Sequence, residues 1–286
     1  MSEIIYRDFD RAGLDREYNA RDSVPDFTIY LDQYAELSRE ARRNLACMCD
    51  LAYGDHPAMK LDYFPAGPQS PLFVYLHGGY WRALSAKESA FMARNFVENG
   101  ISVAAVNYAL APEAGLDEIV RQCRAAIAYC ADLAPELGLD AARIFAGGSS
   151  AGGHLAGMIA AQGWPEEMGA PHDVIKGIAA ISGLYDLEPI RLSHVNEWMQ
   201  LDAHSVRRNS PVNHLPAAHC KVVAGVGGDE SSEFKRQSAD YAARCRQAGL
   251  EVREVMPAGR NHFDVVMELG RPGSALEQAV FEMILG

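Results

Sequence analysis

Short apolar segments rich in β-branched residues alternate with longer amphipathic segments from residue 72 onward. The short segments predict six strands, at residues 72–76, 102–107, 143–146, 175–181, 222–226 and 251–256. The longer segments between them have the length of helices. This alternation is typical of a mostly parallel central sheet that is flanked by helices on both faces, and it places the chain in the α/β class.

Two of the longer segments have clear helical periodicity. In residues 116–133, apolar side chains recur at three- and four-residue spacing, so one face of the predicted helix can pack on the sheet. These side chains are Ile119, Val120, Cys123, Ile127 and Cys130. Residues 232–247 have a similar pattern, and Gly249 is a candidate C-cap before the last predicted strand.

Two segments depart from the strand–helix alternation. Residues 1–50 are rich in charge and contain a helical tract at 27–45, so we expect an N-terminal helical arm. Residues 184–218 lie between two predicted strands and are too long for an ordinary connection, which predicts a lid or cap insertion. A chain of 286 residues is compatible with one elaborated α/β domain over 1–286.

Composition and charge narrow the classes of partner. The chain is 49% hydrophobic and 22% charged, which favours a globular fold, and its formal net charge is -12. A negative protein repels polyanions, so we expect neither nucleic acid nor an anionic membrane as a partner. The N-terminus lacks the pattern of a signal peptide and no apolar segment reaches transmembrane length, which together predict a cytoplasmic protein.

The six cysteines give no metal-binding pattern. The only close pair, Cys47 and Cys49, has neither the C-x-x-C spacing nor a neighbouring second pair of ligands. We expect reduced, mostly buried thiols and neither a metal ion nor an organic cofactor.

Residues 148–152 read Gly-Ser-Ser-Ala-Gly and match the pattern G-x-S-x-G. A predicted strand precedes this motif and a helix-forming segment follows it, as in the nucleophile elbow of α/β hydrolases. The turn requires small residues because it is tight and holds the serine in a strained conformation. No Lys-Ser or Lys-Thr pair follows the glycines, which excludes a Walker-type phosphate loop. Ser150 is therefore the candidate nucleophile.

The motif H-G-G-Y-W begins at His77, directly after the strand predicted at 72–76. In lipases and esterases the loop at this position provides backbone N–H groups to the oxyanion. Gly78 and Gly79, together with Ala151 after the nucleophile, are the candidate oxyanion hole. His77 precedes the elbow, whereas the catalytic histidine of this fold comes last, so we expect a structural role for His77.

The motif N-H-F-D at residues 261–264 follows the last predicted strand, where the catalytic histidine is expected. His262 is therefore the candidate general base. The acid should follow the strand at 222–226, where Asp229 and Glu230 are adjacent and spacing does not choose between them. Asp186 also follows a predicted strand, and we expect it to anchor a loop or the lid. The remaining late histidines are expected to be solvated or to cap helices: His194, His204, His214 and His219.

Together these motifs resemble the arylformamidase (kynurenine formamidase) group of α/β hydrolases. Hormone-sensitive-lipase-like esterases share the H-G-G and the elbow, but the Tyr-Trp continuation is more similar to the formamidases. Residues 230–238 resemble a family segment that begins with the triad acid, a register that selects Glu230 although family members often have aspartate there. Asp229 beside it keeps the assignment open. Residues 17–21 and 24–26 are similar to the N-terminal arm of bacterial members.

The resemblance implies a serine hydrolase that cleaves an N-formyl aryl amide, such as N-formylkynurenine, through an acyl-enzyme. The expected partner is a small aryl amide or ester. Because the same group contains general carboxylesterases, a small-molecule carboxylesterase is the alternative. A hydrolase fold that only binds a ligand is disfavoured by the intact triad candidates, and a homodimer is left open. The candidates for an aromatic substrate pocket are Tyr80, Trp81, Trp198 and Phe263.

Overall fold

An eight-stranded sheet forms the centre of the computed structural model, which describes residues 3–286. Met1 and Ser2, the first residues of the predicted arm, lie outside the described residues. Two strands, β1 (Ile4–Tyr6) and β2 (Phe9–Asp10), pair with each other in a separate antiparallel sheet. The strands of the eight-stranded sheet are β3 (Met48–Ala52), β4 (Lys60–Phe64), β5 (Ser70–Leu76), β6 (Ser102–Val106), β7 (Leu139–Ser149), β8 (Ile175–Ile181), β9 (Lys221–Gly225) and β10 (Val252–Val255).

The helices connect the strands and cover the sheet. They are α1 (Arg11–Glu17), α2 (Thr28–Asn44), α3 (Ala93–Glu98), α4 (Leu116–Asp132), α5 (Ala134–Leu137), α6 (Ala151–Ala160), α7 (Glu188–Arg191), α8 (Asn196–Met199), α9 (Ala203–Asn209), α10 (Ser232–Gln247) and α11 (Ala275–Leu285). Single turns of 3-10 helix lie at Ala20–Ser23, Ala86–Glu88, Glu166–Met168, Pro211–Asn213 and Val266–Gly270. Within residues 3–286, none of the helices combines the length and apolarity needed to cross a bilayer.

The strand order in the sheet is β10-β9-β8-β7-β5-β6-β4-β3. The six predicted strands are confirmed as β5 to β10, and they are all parallel. Two further strands, β4 and β3, extend the sheet by antiparallel pairing and were not predicted. The pattern of β3 gives no signal because four of its five residues are exposed, and β4 contains a buried charge, Asp62, which pairs with Arg42 at 2.7 Å.

The two faces of the sheet belong to two separate apolar cores, as the strand pattern requires. Along β5, Leu72, Val74 and Leu76 join one core, and Phe73 and Tyr75 join the other. Successive side chains of a strand point to opposite faces, so an uninterrupted apolar strand indicates helices on both sides. The predicted apolar face of α4 is confirmed, since its five predicted side chains are all buried in the first core.

The predicted helix boundaries are also reproduced. The helical tract predicted at 27–45 forms α2, and the helix predicted at 232–247 forms α10. Gly249 follows the end of α10 with φ +85°, and its N–H donates to the carbonyl of Arg246 at 2.9 Å. A positive φ just beyond a helix is the conformation that favours glycine, which confirms the predicted C-cap.

The segment predicted as a lid, residues 184–218, consists of α7, α8, α9 and a 3-10 turn. It packs on the first core through buried apolar side chains that include Leu187, Ile190 and Met199. Asp186 anchors its start, because its carboxylate accepts from the backbone N–H of Glu188 at 3.0 Å. The role of the segment as a lid stays a prediction.

Candidate active site

Ser150 occupies the sharp turn between β7 and α6. Its φ of 59° and ψ of -120° are rarely adopted by a residue with a side chain, and such conformations concentrate at functional sites. Hydrogen bonds hold the turn: Ser150 N–H donates to the carbonyl of Ile181 at 2.9 Å, and His154 N–H donates to the carbonyl of Ser150 at 3.0 Å. The strand, the strained serine and the following helix are the elements expected of a nucleophile elbow.

The loop after β5 packs against this turn backbone to backbone. A Cβ added at Gly78 would lie 2.9 Å from the carbonyl oxygen of Ser149 and 3.3 Å from the Cβ of Ser150. One added at Gly152 would lie 2.0 Å from the carbonyl oxygen of Leu76. Only glycine permits this approach. It places the main chain at Gly78 beside the candidate nucleophile, where a backbone N–H can reach a developing oxyanion.

A buried carboxylate contacts the imidazole of His262. Nδ1 of His262 lies 2.6 Å from Oε2 of Glu230, and neither side chain is more than 7% exposed. Because a carboxylate only accepts hydrogen bonds, it stabilises the tautomer with the proton on Nδ1. Nε2 is then the nitrogen that can accept a proton. This is the relation of acid to base in a serine hydrolase triad.

Glu230 is held by two further donors. Its Oε1 accepts from the hydroxyl of Ser182 at 2.5 Å and from the backbone N–H of Gly227 at 2.7 Å. Asp229, the other candidate acid, is exposed, and its backbone N–H donates to the carbonyl of Arg260 at 2.9 Å. The structure therefore brings Glu230, and not Asp229, to the imidazole.

A cavity of about 750 Å³ brings the candidate groups together. Ser150, His262, Gly78 and Gly79 all line it. Seven aromatic side chains contribute to the rest of its wall, together with charged and polar side chains: Phe27, Tyr34, Tyr75, Tyr80, Phe91, Trp198 and Phe263. A concave site with apolar surface and convergent polar groups is the usual form of a small-molecule site.

Three of the four side chains predicted for the aromatic pocket line this cavity, namely Tyr80, Trp198 and Phe263. Trp81 is a correction, because it is fully buried in the first core and packs edge-on against His154 with ring centroids 5.0 Å apart. Tyr80 and Trp81 both have positive φ, at 50° and 57°. This twisted backbone sends consecutive side chains in different directions, which the sequence pattern does not show.

His77 lines the cavity, and its ring contacts Tyr108 and the backbone of Gly78. Its ring stacks on Tyr108 with centroids 4.1 Å apart and planes 6° apart, and its Nδ1 contacts the carbonyl oxygen of Gly78 at 2.9 Å. Burial lowers the pKa of His77 to about 4, so the ring is neutral at physiological pH. These contacts support the structural role expected for His77.

Sequence reasoning missed several contributors to the site. The predicted arm supplies one wall, through residues 19–22 and 24–27, Leu31 and Tyr34, a contact that no sequence pattern indicated. His194 was expected to be solvated, but it lines the cavity beside Trp198, with ring centroids 5.8 Å apart. Ser182 was also missed; its position directly after β8 is the one available signal, because polar residues at the carboxyl ends of parallel strands often form sites.

Within residues 3–286, no group of three or more His, Cys, Asp or Glu side chains converges in a way that could hold a metal ion. All six cysteines are free, and four of them are buried. Burial raises the pKa of the Cys245 thiol to about 11 and that of Cys130 to about 12, so these thiols are neutral at physiological pH. None of the six cysteines lines the cavity, and Ser150 stays the candidate nucleophile.

Comparison with known proteins agrees with this geometry. The BD-FAE family model matches residues 62–208 of the chain. Kynurenine formamidase from Danio rerio is 33% identical over 255 residues, which cover 86% of this chain and 85% of that protein. Kynurenine formamidase from Salmo salar is 31% identical over 289 aligned positions, which cover 98% of this chain and 95% of that protein.

A solved structure shares the fold along nearly the whole chain. The crystal structure of a protein from Silicibacter sp. TM1040 assigned as a thioesterase matches with a TM-score of 0.82 and 29% identity, covering 96% of this chain and 99% of that one. The fold and the resemblance predicted from the sequence are thereby confirmed. Similarity of this extent, along nearly the whole chain, shows that the protein belongs to the kynurenine formamidase family, a group of serine hydrolases with the α/β-hydrolase fold.

Proposed function

We propose that this protein is an arylformamidase that cleaves N-formyl aryl amides such as N-formylkynurenine. The observation that carries the proposal is the 2.6 Å contact between Glu230 and His262 at the wall of a cavity that Ser150 also lines. The aromatic side chains of that cavity suit a flat aryl group. The choice of a formyl amide as substrate rests on the two fish relatives, which are both named kynurenine formamidase.

In the proposed reaction, Oγ of Ser150 attacks the formyl carbonyl and Nε2 of His262 accepts the hydroxyl proton. The carboxylate of Glu230 stabilises the imidazolium that results. The carbonyl oxygen becomes negative, and the N–H groups of Gly78, Gly79 and Ala151 donate to it. Each preorganised donor of this kind stabilises the transition state by about 3–4 kcal/mol.

Collapse of the tetrahedral intermediate breaks the carbon–nitrogen bond. His262 then gives its proton to the departing aryl amine, and a formyl ester remains on Ser150. Water attacks this ester with His262 as the base, and breakdown of the second intermediate returns the proton to the serine oxygen. The products are formate and the free aryl amine, so each cycle restores the original state of Ser150 and His262.

A carboxylesterase is the second candidate, because the same groups cleave an ester by the same steps. The specific observation in its favour is the similarity to the Silicibacter protein, which is assigned as a thioesterase and is 29% identical. The alkoxide or phenolate of an ester is a better leaving group than the amine of an amide. Low ester turnover by a formamidase is therefore compatible with the proposal. The preference between the two substrates is what separates the candidates.

The test compares the turnover of N-formylkynurenine with that of p-nitrophenyl acetate at saturating concentrations. We expect efficient formamide hydrolysis, abolished in Ser150→Ala to below about one thousandth of the original rate. Ester turnover that greatly exceeds formamide turnover would replace the formamidase assignment with the esterase. Undiminished turnover by Ser150→Ala would refute the role of Ser150.

We further propose that residues 184–218 act as a cap, since His194 and Trp198 from this segment line the cavity. A cap limits the access of water and selects substrates by size. The cytoplasmic location and the homodimer stay predictions from the sequence, which fractionation and sedimentation would measure.

A further inference from the structure

Arg82 lies at the wall of the cavity on an aromatic platform. Its guanidinium carbon sits 3.6 Å from the ring centroid of Trp198. The indole N–H of Trp198 donates to the carbonyl of Tyr80 at 3.1 Å, which fixes the platform to the same loop. Stacking occupies the faces of a guanidinium and leaves its N–H donors, which lie in the plane, free for a ligand.

The loop that carries Arg82 is tightly folded. The N–H groups of Arg82 and Ala83 both donate to the carbonyl of Gly79 at 3.1 Å. Tyr80, Trp81 and Leu84 have positive φ, a strained conformation for residues with a side chain. Strain of this kind persists where the surrounding structure holds the backbone, so the fold fixes the main chain from which the exposed Arg82 side chain extends to Trp198.

In the described part of the chain, no carboxylate forms an ion pair with Arg82. The carboxylates that line the cavity accept hydrogen bonds from neutral donors and not from Arg82. Asp22 accepts from the amide of Asn19 at 2.7 Å, and Glu88 accepts from the hydroxyl of Ser85 at 2.8 Å. Asp26 accepts from the N–H and the hydroxyl of Thr28, at 2.9 and 2.6 Å. Arg82 is thus an exposed cation at the wall of the cavity that packs on Trp198 and forms no ion pair with a described carboxylate.

We propose that Arg82 determines specificity by binding a carboxylate on the aryl portion of the substrate, with the reacting carbonyl held at Ser150. The guanidinium offers parallel N–H donors that match the two oxygens of a carboxylate. This inference rests on the proposed function, because it assigns the far end of the substrate in the same cavity. Arg82 does not touch the reacting atoms, so it should affect substrate binding more than the chemical step.

The competing site is Arg21, which also lines the cavity and stacks on Phe27 at 4.8 Å. Arg82 is favoured because its platform is tied to the loop that contains Gly78 and Gly79, at a fixed position relative to the oxyanion hole. The platform of Arg21, Phe27, belongs to the N-terminal arm and stacks on Phe263 beside His262, with ring centroids 6.0 Å apart, so it is tied to the histidine loop and not to the oxyanion loop. Replacing each arginine in turn distinguishes the two sites.

The experiment uses substrate pairs that differ by one ring carboxylate: formanilide with 3-formamidobenzoate, and phenyl acetate with 3-acetoxybenzoate. We expect Arg82→Gln to lower kcat/KM for the carboxylated member roughly tenfold at low ionic strength, mainly through KM, with less effect at high salt. The neutral member should change less than twofold, which also shows that the variant is folded. Arg43→Gln, at an exposed position on α2, is the matched charge control and should leave both members unchanged.

Equal loss for both members of a pair would overturn the proposal, because it would make Arg82 structural. A selective loss in Arg21→Gln and none in Arg82→Gln would also overturn it. The ester pair keeps the result separate from the formamidase assignment, since it reports on Arg82 even if formamides are not cleaved. Binding of 3-aminobenzoate against aniline, followed by NMR in both variants, gives the same contrast without turnover.

Discussion

The pairing of Glu230 with His262 leads to a prediction that separates two adjacent carboxylates. Glu230→Gln keeps the size of the side chain and removes its charge. The buried carboxylate accepts three hydrogen bonds, from His262, Ser182 and the backbone of Gly227. The neutral amide offers a poorer acceptor for the Nδ1 proton, and it leaves the imidazolium that forms during catalysis without a counter-charge.

The expected loss follows from the burial of the pair. His262 becomes charged only during the reaction, so the cost of removing one partner of a buried, hydrogen-bonded ion pair, about 3–5 kcal/mol, falls on the transition state. The Glu230 side chain is 0% exposed and that of His262 is 7% exposed, so solvent screens this interaction little. At 1.36 kcal/mol per tenfold change in rate, kcat should fall roughly 150- to 5,000-fold, with a much smaller change in KM.

The assay is steady-state hydrolysis of N-formylkynurenine and p-nitrophenyl acetate by the purified variants. Asp229→Asn is the matched control, because it removes the same charge one residue away at an exposed position. We expect its kcat to stay within about twofold of the parent, as for most surface substitutions. Glu230→Asp, which retains the charge on a shorter side chain, should keep more activity than Glu230→Gln.

Two results would refute the reasoning. If Asp229→Asn lost more activity than Glu230→Gln, the geometry of Glu230 would be irrelevant to the reaction. If Glu230→Gln retained the parent kcat while circular dichroism showed native folding, His262 would not depend on a buried charge. Thermal unfolding of each variant separates loss of catalysis from loss of the folded state.

Two further predictions concern the oxyanion loop and acid stability. Gly78→Ala should lower kcat at least tenfold in steady-state assays, because the added Cβ would lie only 2.9 Å from the Ser149 carbonyl oxygen and would force the oxyanion loop to shift. Burial lowers the pKa of His77 and of His154 to about 4, so between pH 6.5 and 4 the unfolded state binds more protons. As the pH falls from 6.5 to 4, the free energy of unfolding should therefore decrease by about 3 kcal/mol per histidine. When urea unfolding is measured at several pH values, the number of protons taken up on unfolding should be smaller by about one in His154→Gln.

The sequence by itself determined those parts of the fold that depend on local pattern. The six parallel strands follow from short apolar segments that alternate with segments of helical length, and α4 and α10 follow from apolar periodicity. Ser150 was identifiable for a related reason, because a strand, a glycine-rich turn and a helix are contiguous in the chain. His262 required only the expected order of the catalytic groups.

Only the tertiary structure decided which side chains meet. Glu230 and Asp229 are neighbours with the same charge, and the buried donors Ser182 and Gly227 determine which of them reaches His262. Trp81 is buried and Tyr80 is not, because positive φ values reorient a loop that has no regular period. The N-terminal arm forms a wall of the cavity more than 100 residues from Ser150 in sequence, a contact created by long-range packing that local periodicity does not encode.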